Sequence, residues 1–379
     1  MGKNRFKKRE KTSLEDRRKN IKETRNKENV AVKKTSSTYS VDQLLDKAEE
    51  FLDNFDYDLA QKFCQRALEV DRENIRALEL TGSVLLELGD QESAEQCFLR
   101  SVEISPEEGH AKYMYLGQLN KGADAIKYFS KGIELMIQAQ QKEAEIVGAS
   151  NISEDKPVAP IDISNAYCSI AEIYMTDCCF DDSAESKCKE NIESAISSDP
   201  NNAEAYQLKA SYLLSLDQKQ EGKEMINKSL SLWLPKAKCK EEELPDTEFD
   251  PVQIVPLSFE SRINTCRILI EVEEYQSAVD VAEGLLDEND EDPQVWYLIG
   301  WANYLQGEDY KNNARFYLNK AHKVYKKNNY DDPDLYKHIE ELLQELPPGY
   351  DDDDDDDGGL LHEQDLDAIH SSDEEDMEH

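Results

Sequence analysis

The chain has 379 residues, with 44 Lys and Arg against 82 Asp and Glu, a net charge of −38. That balance argues against nucleic acid as the main ligand, because phosphates need cations opposite them, and it favours a basic protein as partner. No apolar run reaches the length of a membrane span, and the opening Met1-Gly-Lys-Asn-Arg-Phe-Lys-Lys-Arg9 is too polar for a signal peptide, so a cytoplasmic and nuclear protein with no membrane contact is expected. The eight cysteines form no C-x-x-C pair and fall mostly at helical apolar positions, which fits reduced core thiols.

Residues 1–40 carry 14 basic and 5 acidic side chains and no sustained apolar face, the composition of a disordered extension. Lys7-Lys-Arg-Glu-Lys11 and Arg17-Arg-Lys19 fit a nuclear-import signal, which would make an import receptor a partner, and equally fit a solvated tail. Helical periodicity starts near Val41, where Leu44, Ala48 and Phe51 share a face. After Asp53-Asn54 it resumes with Tyr57, Ala60, Cys64 and Ala67.

Residues 75–108 show the same design most clearly. Leu78, Thr81, Gly82 and Leu85 share one helical face, Leu88-Gly89-Asp90 breaks it, and Ala94, Phe98 and Ser101 mark a second helix before Ser105-Pro106. Small residues opposite large ones let two antiparallel helices pack closely, with Gly82 expected to face its partner near Ala94. A 34-residue unit of this kind is the tetratricopeptide-repeat signature. In the third unit the turn comes early, at Asn120-Lys-Gly122, so its first helix should be a turn short and its second long, running to about Val147.

Residues 148–162 read as a loop, since Pro157 and Pro160 forbid a continuous helix. A fourth pair follows from Tyr167 to Ala195 through an expanded turn, and a fifth from Tyr206 to Ser229. Trp233-Leu-Pro235 opens an insertion to about residue 256. A sixth pair begins at Phe259 and a seventh at Trp296, and Pro333–Leu346 reads as a polar-faced end helix. Residues 347–379 form an acidic tail, with no Lys or Arg from 350 onward and seven consecutive aspartates, Asp351–Asp357. The expected fold is an all-α, right-handed tetratricopeptide-repeat superhelix of about seven irregular helix pairs over 41–346, with insertions at about 148–162 and 235–256, a capping helix and disordered ends.

Motifs of catalysis are missing: there is no G-x-x-x-x-G-K-[ST], H-E-x-x-H or G-x-S-x-G, and Asp351–Asp357 lacks the spaced ligands of a calcium loop. His110, His322 and His338 are expected on helix surfaces. No enzyme, cofactor or metal site is anticipated. What remains is the concave side, lined in such arrays by the first helix of each pair. Projection from the repeat register places there Asp42, Leu45, Glu49, Leu52 and Asp53, then Glu79, Leu86 and Glu87, then Met114 and Gln118, then Glu172 and Met175, and finally Tyr297, Trp301 and Tyr304. These residues would form a groove for a basic, extended peptide, using charge attraction and cation–π contacts. Against that stands the reading that the carboxylates are solvated and that Trp301 and Tyr304 pack under the end helix.

A clamp for a terminal carboxylate needs Lys and Asn four residues apart on the first groove helix, where Leu45 and Glu49 stand. A scaffold subunit of a multiprotein complex is compatible with the array but has no particular use for polyaspartate. An escort that masks a basic client uses the groove, the acidic tail and the basic start together. The basic extension, the seven irregular repeats with the shortened Gly117-to-Ala125 unit, and the Asp-rich tail resemble the fungal dedicated assembly chaperones of ribosomal protein uL4. The resemblance implies a binding protein that shields the long internal loop of newly made uL4 and accompanies it into the nucleus for pre-60S assembly; a monomer is expected.

Overall fold

The computed structural model describes residues 39–148, 158–237 and 255–346. The expected disordered ends, the Asp351–Asp357 run and most of both insertions lie outside the described residues. The chain divides into two compact units, one ending at residue 254 and one beginning at 255. The first holds α1 (Val41–Asp53), α2 (Tyr57–Val70), α3 (Ile75–Glu87), α4 (Gln91–Ile104), α5 (Ala111–Leu119), α6 (Gly122–Gly148), α7 (Pro160–Met175), α8 (Ala184–Ser198), α9 (Ala203–Ser215) and α10 (Lys219–Ala237). The second holds α11 (Phe259–Glu271), α12 (Tyr275–Glu288), α13 (Pro293–Gln306), α14 (Lys311–Asn328) and α15 (Pro333–Glu345). These make five helix pairs in the first unit, and two pairs and an end helix in the second; among the described residues no strand occurs.

The helices start where a side chain can satisfy their free N–H groups. Ser40 Oγ accepts from the Gln43 N–H while Gln43 Oε1 accepts from the Ser40 N–H, a reciprocal cap on α1. Asn74, Asp90 and Asp332 cap α3, α4 and α15 in the simpler way. Four of the seven turns within pairs follow one pattern. After α3, Gly89 takes φ +80°, its N–H donates to Leu86 O and that of Asp90 donates to Leu85 O, satisfying two terminal carbonyls. Phe55, Asp217 and Glu273 sit in the same left-handed place after α1, α9 and α11, with the same two hydrogen bonds.

In the first unit the core is a chain of clusters passed from pair to pair. Leu44, Leu45 and Ala48 of α1 meet Ala60, Phe63, Cys64 and Ala67 of α2 and Ala77 and Val84 of α3. Gly82 lies under Phe98, so close that a Cβ there would stand 2.5 Å from the ring. The partner expected near Ala94 is therefore the aromatic ring one turn further along α4. Gly117 stands in the same relation to Phe129.

The shortened third pair is present. Asn120 ends α5 by donating from its amide to Leu116 O at 3.0 Å, and Gly122 at φ +54° opens the 27-residue α6. α6 packs against α7, where Ile133 and Met136 join Ile163, Ala166 and Ile170. Two expectations are corrected. Pro160 is the first residue of α7 rather than part of a loop, because a proline at that position gives up an N–H that has no helical partner anyway. Pro235 lies inside α10, which continues to Ala237. A proline so near the C-terminal end disturbs only the last turn.

In the second unit Cys266, Leu269, Ala278, Leu285, Ile299, Ala314 and Leu318 are buried. Arg262, which is buried, and Glu288, half-buried, form a two-pronged ion pair at 2.6 and 2.7 Å. No described helix is long and apolar enough to cross a membrane. All seven described cysteines are free thiols, and burial pushes Cys64 and Cys266 up to about 12.

Candidate functional site

In the first unit the first helices of neighbouring pairs touch, α1 against α3 and α7 against α9, and their outward sides make the surface that the repeat register singles out. The residues assigned to it from sequence separate into three groups.

Some belong to the fold. Leu45 is fully buried in the first core cluster and lines no groove, which corrects its assignment; its neighbours Leu44 and Ala48 are buried with it. Leu52 and Leu86 are half-buried against the clusters beneath them. Met114 is half-buried as well, its terminal methyl lying over Gly132.

A second group is tied up by cations of the chain itself. Glu49 and Asp46 clasp Arg76 of α3, with Arg76 Nη2 at 2.8 Å from Glu49 Oε2 and 2.7 Å from Asp46 Oδ1. Glu79 accepts from Ser101 Oγ at 2.7 Å and lies 3.5 Å from Nζ of Lys112, whose side chain is completely buried. Arg76 and Lys112 are the residues that sequence reasoning missed. Each lies at or near the start of a first helix and reads as solvated, and only the packing of the neighbouring pair shows its partner.

A third group faces solvent. Asp42, Asp53, Glu87, Gln118 and Glu172 are exposed, and Met175 is half-buried near them in sequence. Asp53 and Glu87 are the last residues of α1 and α3, so they stand beside the turns rather than midway along a face. Partial burial, with the Glu87 carboxylate adding to it, holds the Tyr57 hydroxyl above the ordinary tyrosine value. Glu204 of α9, also absent from the sequence-based assignment, is held above the usual carboxylate range by burial first and by the charge of Glu172 second. An arriving cation favours the charged form of a carboxyl so placed and thereby offsets the shift.

In the second unit the aromatic residues assigned to the groove meet the end helix. The Tyr297 hydroxyl is 2.7 Å from His338 Nδ1, Trp301 stands edge-on to the same imidazole, and the Tyr304 hydroxyl donates to Glu345. Tyr297 also stacks on Trp301. All three are half-buried. They form the seat of α15, the alternative that the sequence left open. His338 and His322 are likewise not plain surface groups, since His322 stacks on Tyr336 of α15. Among the described residues no group of three or more His, Cys, Asp or Glu is arranged to hold a metal ion. The site as built is a carboxylate-bearing surface on rigid helices, suited to holding cationic side chains.

Comparison with known proteins agrees with this architecture and narrows it. Tetratricopeptide-repeat family models match residues 45–108 and 203–232. A Schizosaccharomyces pombe protein described as a probable assembly chaperone of rpl4 is 31% identical over 292 residues, covering 72% of this chain and 80% of that protein. An Emericella nidulans protein of the same description is 29% identical over 280 residues, covering 70% of this chain and 65% of its own length. The solved structure of an assembly chaperone of RpL4 (Acl4), residues 1–338, matches with a TM-score of 0.63 at 28% identity, covering 73% of this chain and 100% of that one.

Proposed function

The chain belongs to the family of the assembly chaperones of rpl4, and from that premise we propose that it is a dedicated chaperone of ribosomal protein uL4, binding the newly made protein and shielding it until it enters the large ribosomal subunit. The observation that carries this reading is the likeness to the fission-yeast relative over four-fifths of that protein's length. The chemistry supports it: a net charge of −38 and exposed carboxylates on rigid first helices suit a cationic client.

Binding needs no nucleotide, metal or catalytic step. One copy of the chain holds one client, and the segment held is the long internal loop of uL4. The pair forms in the cytoplasm and travels to the nucleus, with an import receptor engaging the complex. The test is reconstitution. Purified full-length chain, mixed with unfolded uL4 at physiological salt and without ATP, should keep it soluble in a one-to-one complex, and deletion of the internal loop should abolish the complex. Precipitation of uL4 at the same rate with and without the chain would sink the proposal. A fluorescent fusion confined to one compartment would sink the transport part alone.

A further inference from the structure

Exposed apolar side chains on the first unit are not scattered. Among the described residues of that unit, Phe55, Leu88, Phe180 and Leu216 are four of the six large exposed ones, and each sits at the turn within a helix pair. Phe180 is 97% exposed and Phe55 78%. Single exposed apolar residues need no explanation, but a recurrence at one structural position does.

Phe55 is also strained. Its φ of +59° is the conformation that Gly89 adopts 34 residues later in the equivalent turn, and a side chain there crowds the carbonyl oxygen. The turn itself uses a left-handed residue here, as Asp217 and Glu273 also show, but it does not call for a phenylalanine, whose ring is exposed and meets only the edge of Tyr57 among the described aromatic rings.

Phe180 is held out by a built loop. The Cys178, Asp181 and Ala184 N–H groups donate to Ile173, Cys178 and Asp181 carbonyls, and Asp177 accepts the Gly122 N–H at 3.0 Å from the turn of the preceding pair. Other contacts link the turns in the same direction: the Asn120 amide donates to Glu95 Oε1 at 2.9 Å, and the charge of Glu87 bears on the Tyr57 hydroxyl. The turns therefore follow one another along a continuous edge. Carboxylates accompany the apolar tips throughout: Asp53 and Asp56 beside Phe55, Glu87 and Asp90 about Leu88, Asp181 and Asp182 after Phe180.

We propose that this turn edge, anchored by Phe55 and Phe180, is a second docking surface for the cationic client, taking a segment in which Lys or Arg alternates with apolar side chains. Aromatic rings amid carboxylates fit such a segment, the rings receiving its apolar groups and guanidinium faces and the carboxylates its charges. The inference rests on the chaperone reading, whose binding surface is the side of the first helices and not this edge.

The test uses the full-length chain and purified uL4, with the dissociation constant measured at physiological salt for the wild type, for Phe55→Gly combined with Phe180→Ser, and for Val70→Ser. Val70 is exposed but lies at the end of α2, away from these turns. The edge variant should bind about tenfold more weakly while melting no lower than wild type, since glycine suits the left-handed position, and Val70→Ser should bind normally. Wild-type affinity in the edge variant would overturn the second surface and leave the chaperone reading intact. Tighter binding would overturn it too, pointing to the chain's own basic residues 1–38 as the occupant. Failure of the wild-type chain to bind uL4 would sink both.

Discussion

Gly82 shows how much a single atom decides in this array. A Cβ at that position would stand 2.5 Å from Phe98 Cζ and 2.8 Å from two further ring atoms. Gly82→Val should therefore lower stability by about 1–3 kcal/mol through overpacking, read as a drop in the thermal midpoint. Gly284 in α12 has nothing within 4 Å of the same construction, so Gly284→Ala should raise stability by roughly 0.5–1 kcal/mol through helix propensity. If both glycines respond alike, the close approach of α3 and α4 is wrong. The need for a small residue at position 82 was legible from the alternation of small and large side chains; the identity of its partner was not, because periodicity gives a face but not the depth to which a ring inserts. Lys112 is the opposite case, with nothing in the sequence marking it as buried. Among the described residues its charged partner is Glu79, so Glu79→Ala should strand an ammonium in the core and cost about 3 kcal/mol, while adding Lys112→Met should recover most of the loss. Recovery is the informative arm: a double variant as unstable as the single one would show that the pair does not act as a unit.

At the scale of elements, caps and turns carried the reading well. The shortened α5 and lengthened α6 follow from Asn120 and Gly122, and the pairs on either side follow from the recurring small residues. The prolines misled where their place in the helix mattered more than their presence, Pro160 opening α7 and Pro235 standing in the last stretch of α10. The role of α15 was only half legible, since an amphipathic end helix is recognisable but the aromatic seat it closes is a tertiary fact. That seat has a consequence for pH. His322 Nε2 lies 3.1 Å from the Tyr336 hydroxyl, and burial, with Lys326 adding to it, holds the imidazole below its ordinary value, while Glu340 opposes the shift. The folded state thus prefers neutral His322. The stability it contributes is complete above the unfolded value of about 6.5 and declines as the pH falls from there through the lowered folded value. Acidification from about pH 7.5 to pH 5 should therefore lower the protection factors of the α15 amides, taken relative to intrinsic exchange at each pH, and His322→Gln should flatten that dependence. An unchanged slope in the variant would assign the effect to other groups.

For the whole molecule, net charge and its arrangement do different work. A charge of −38 draws a cationic client from any direction, but attraction at a distance is screened, with a Debye length of about 8 Å at physiological salt. Contacts that persist need carboxylates held in place, and two of those named from sequence are already occupied, Glu49 by Arg76 and Glu79 by Lys112. Charge counting could not separate the occupied from the available, because the two kinds are identical in composition and differ only in their neighbours. The available ones include Glu172, whose charge already bears on Glu204. Replacing Asp351–Asp357 with serine should slow association with uL4 and flatten its salt dependence, with dissociation nearly unchanged, since a run of like charges steers the encounter. Glu172→Lys should act on the other rate, speeding dissociation by placing a cation where the client brings one, while leaving helicity intact. Stopped-flow measurements of both rates at two salt concentrations separate the roles. If Glu172→Lys dissociates at the wild-type rate and the serine variant no longer binds, the exposed carboxylates of the first helices are solvated surface and the acidic run itself holds the client.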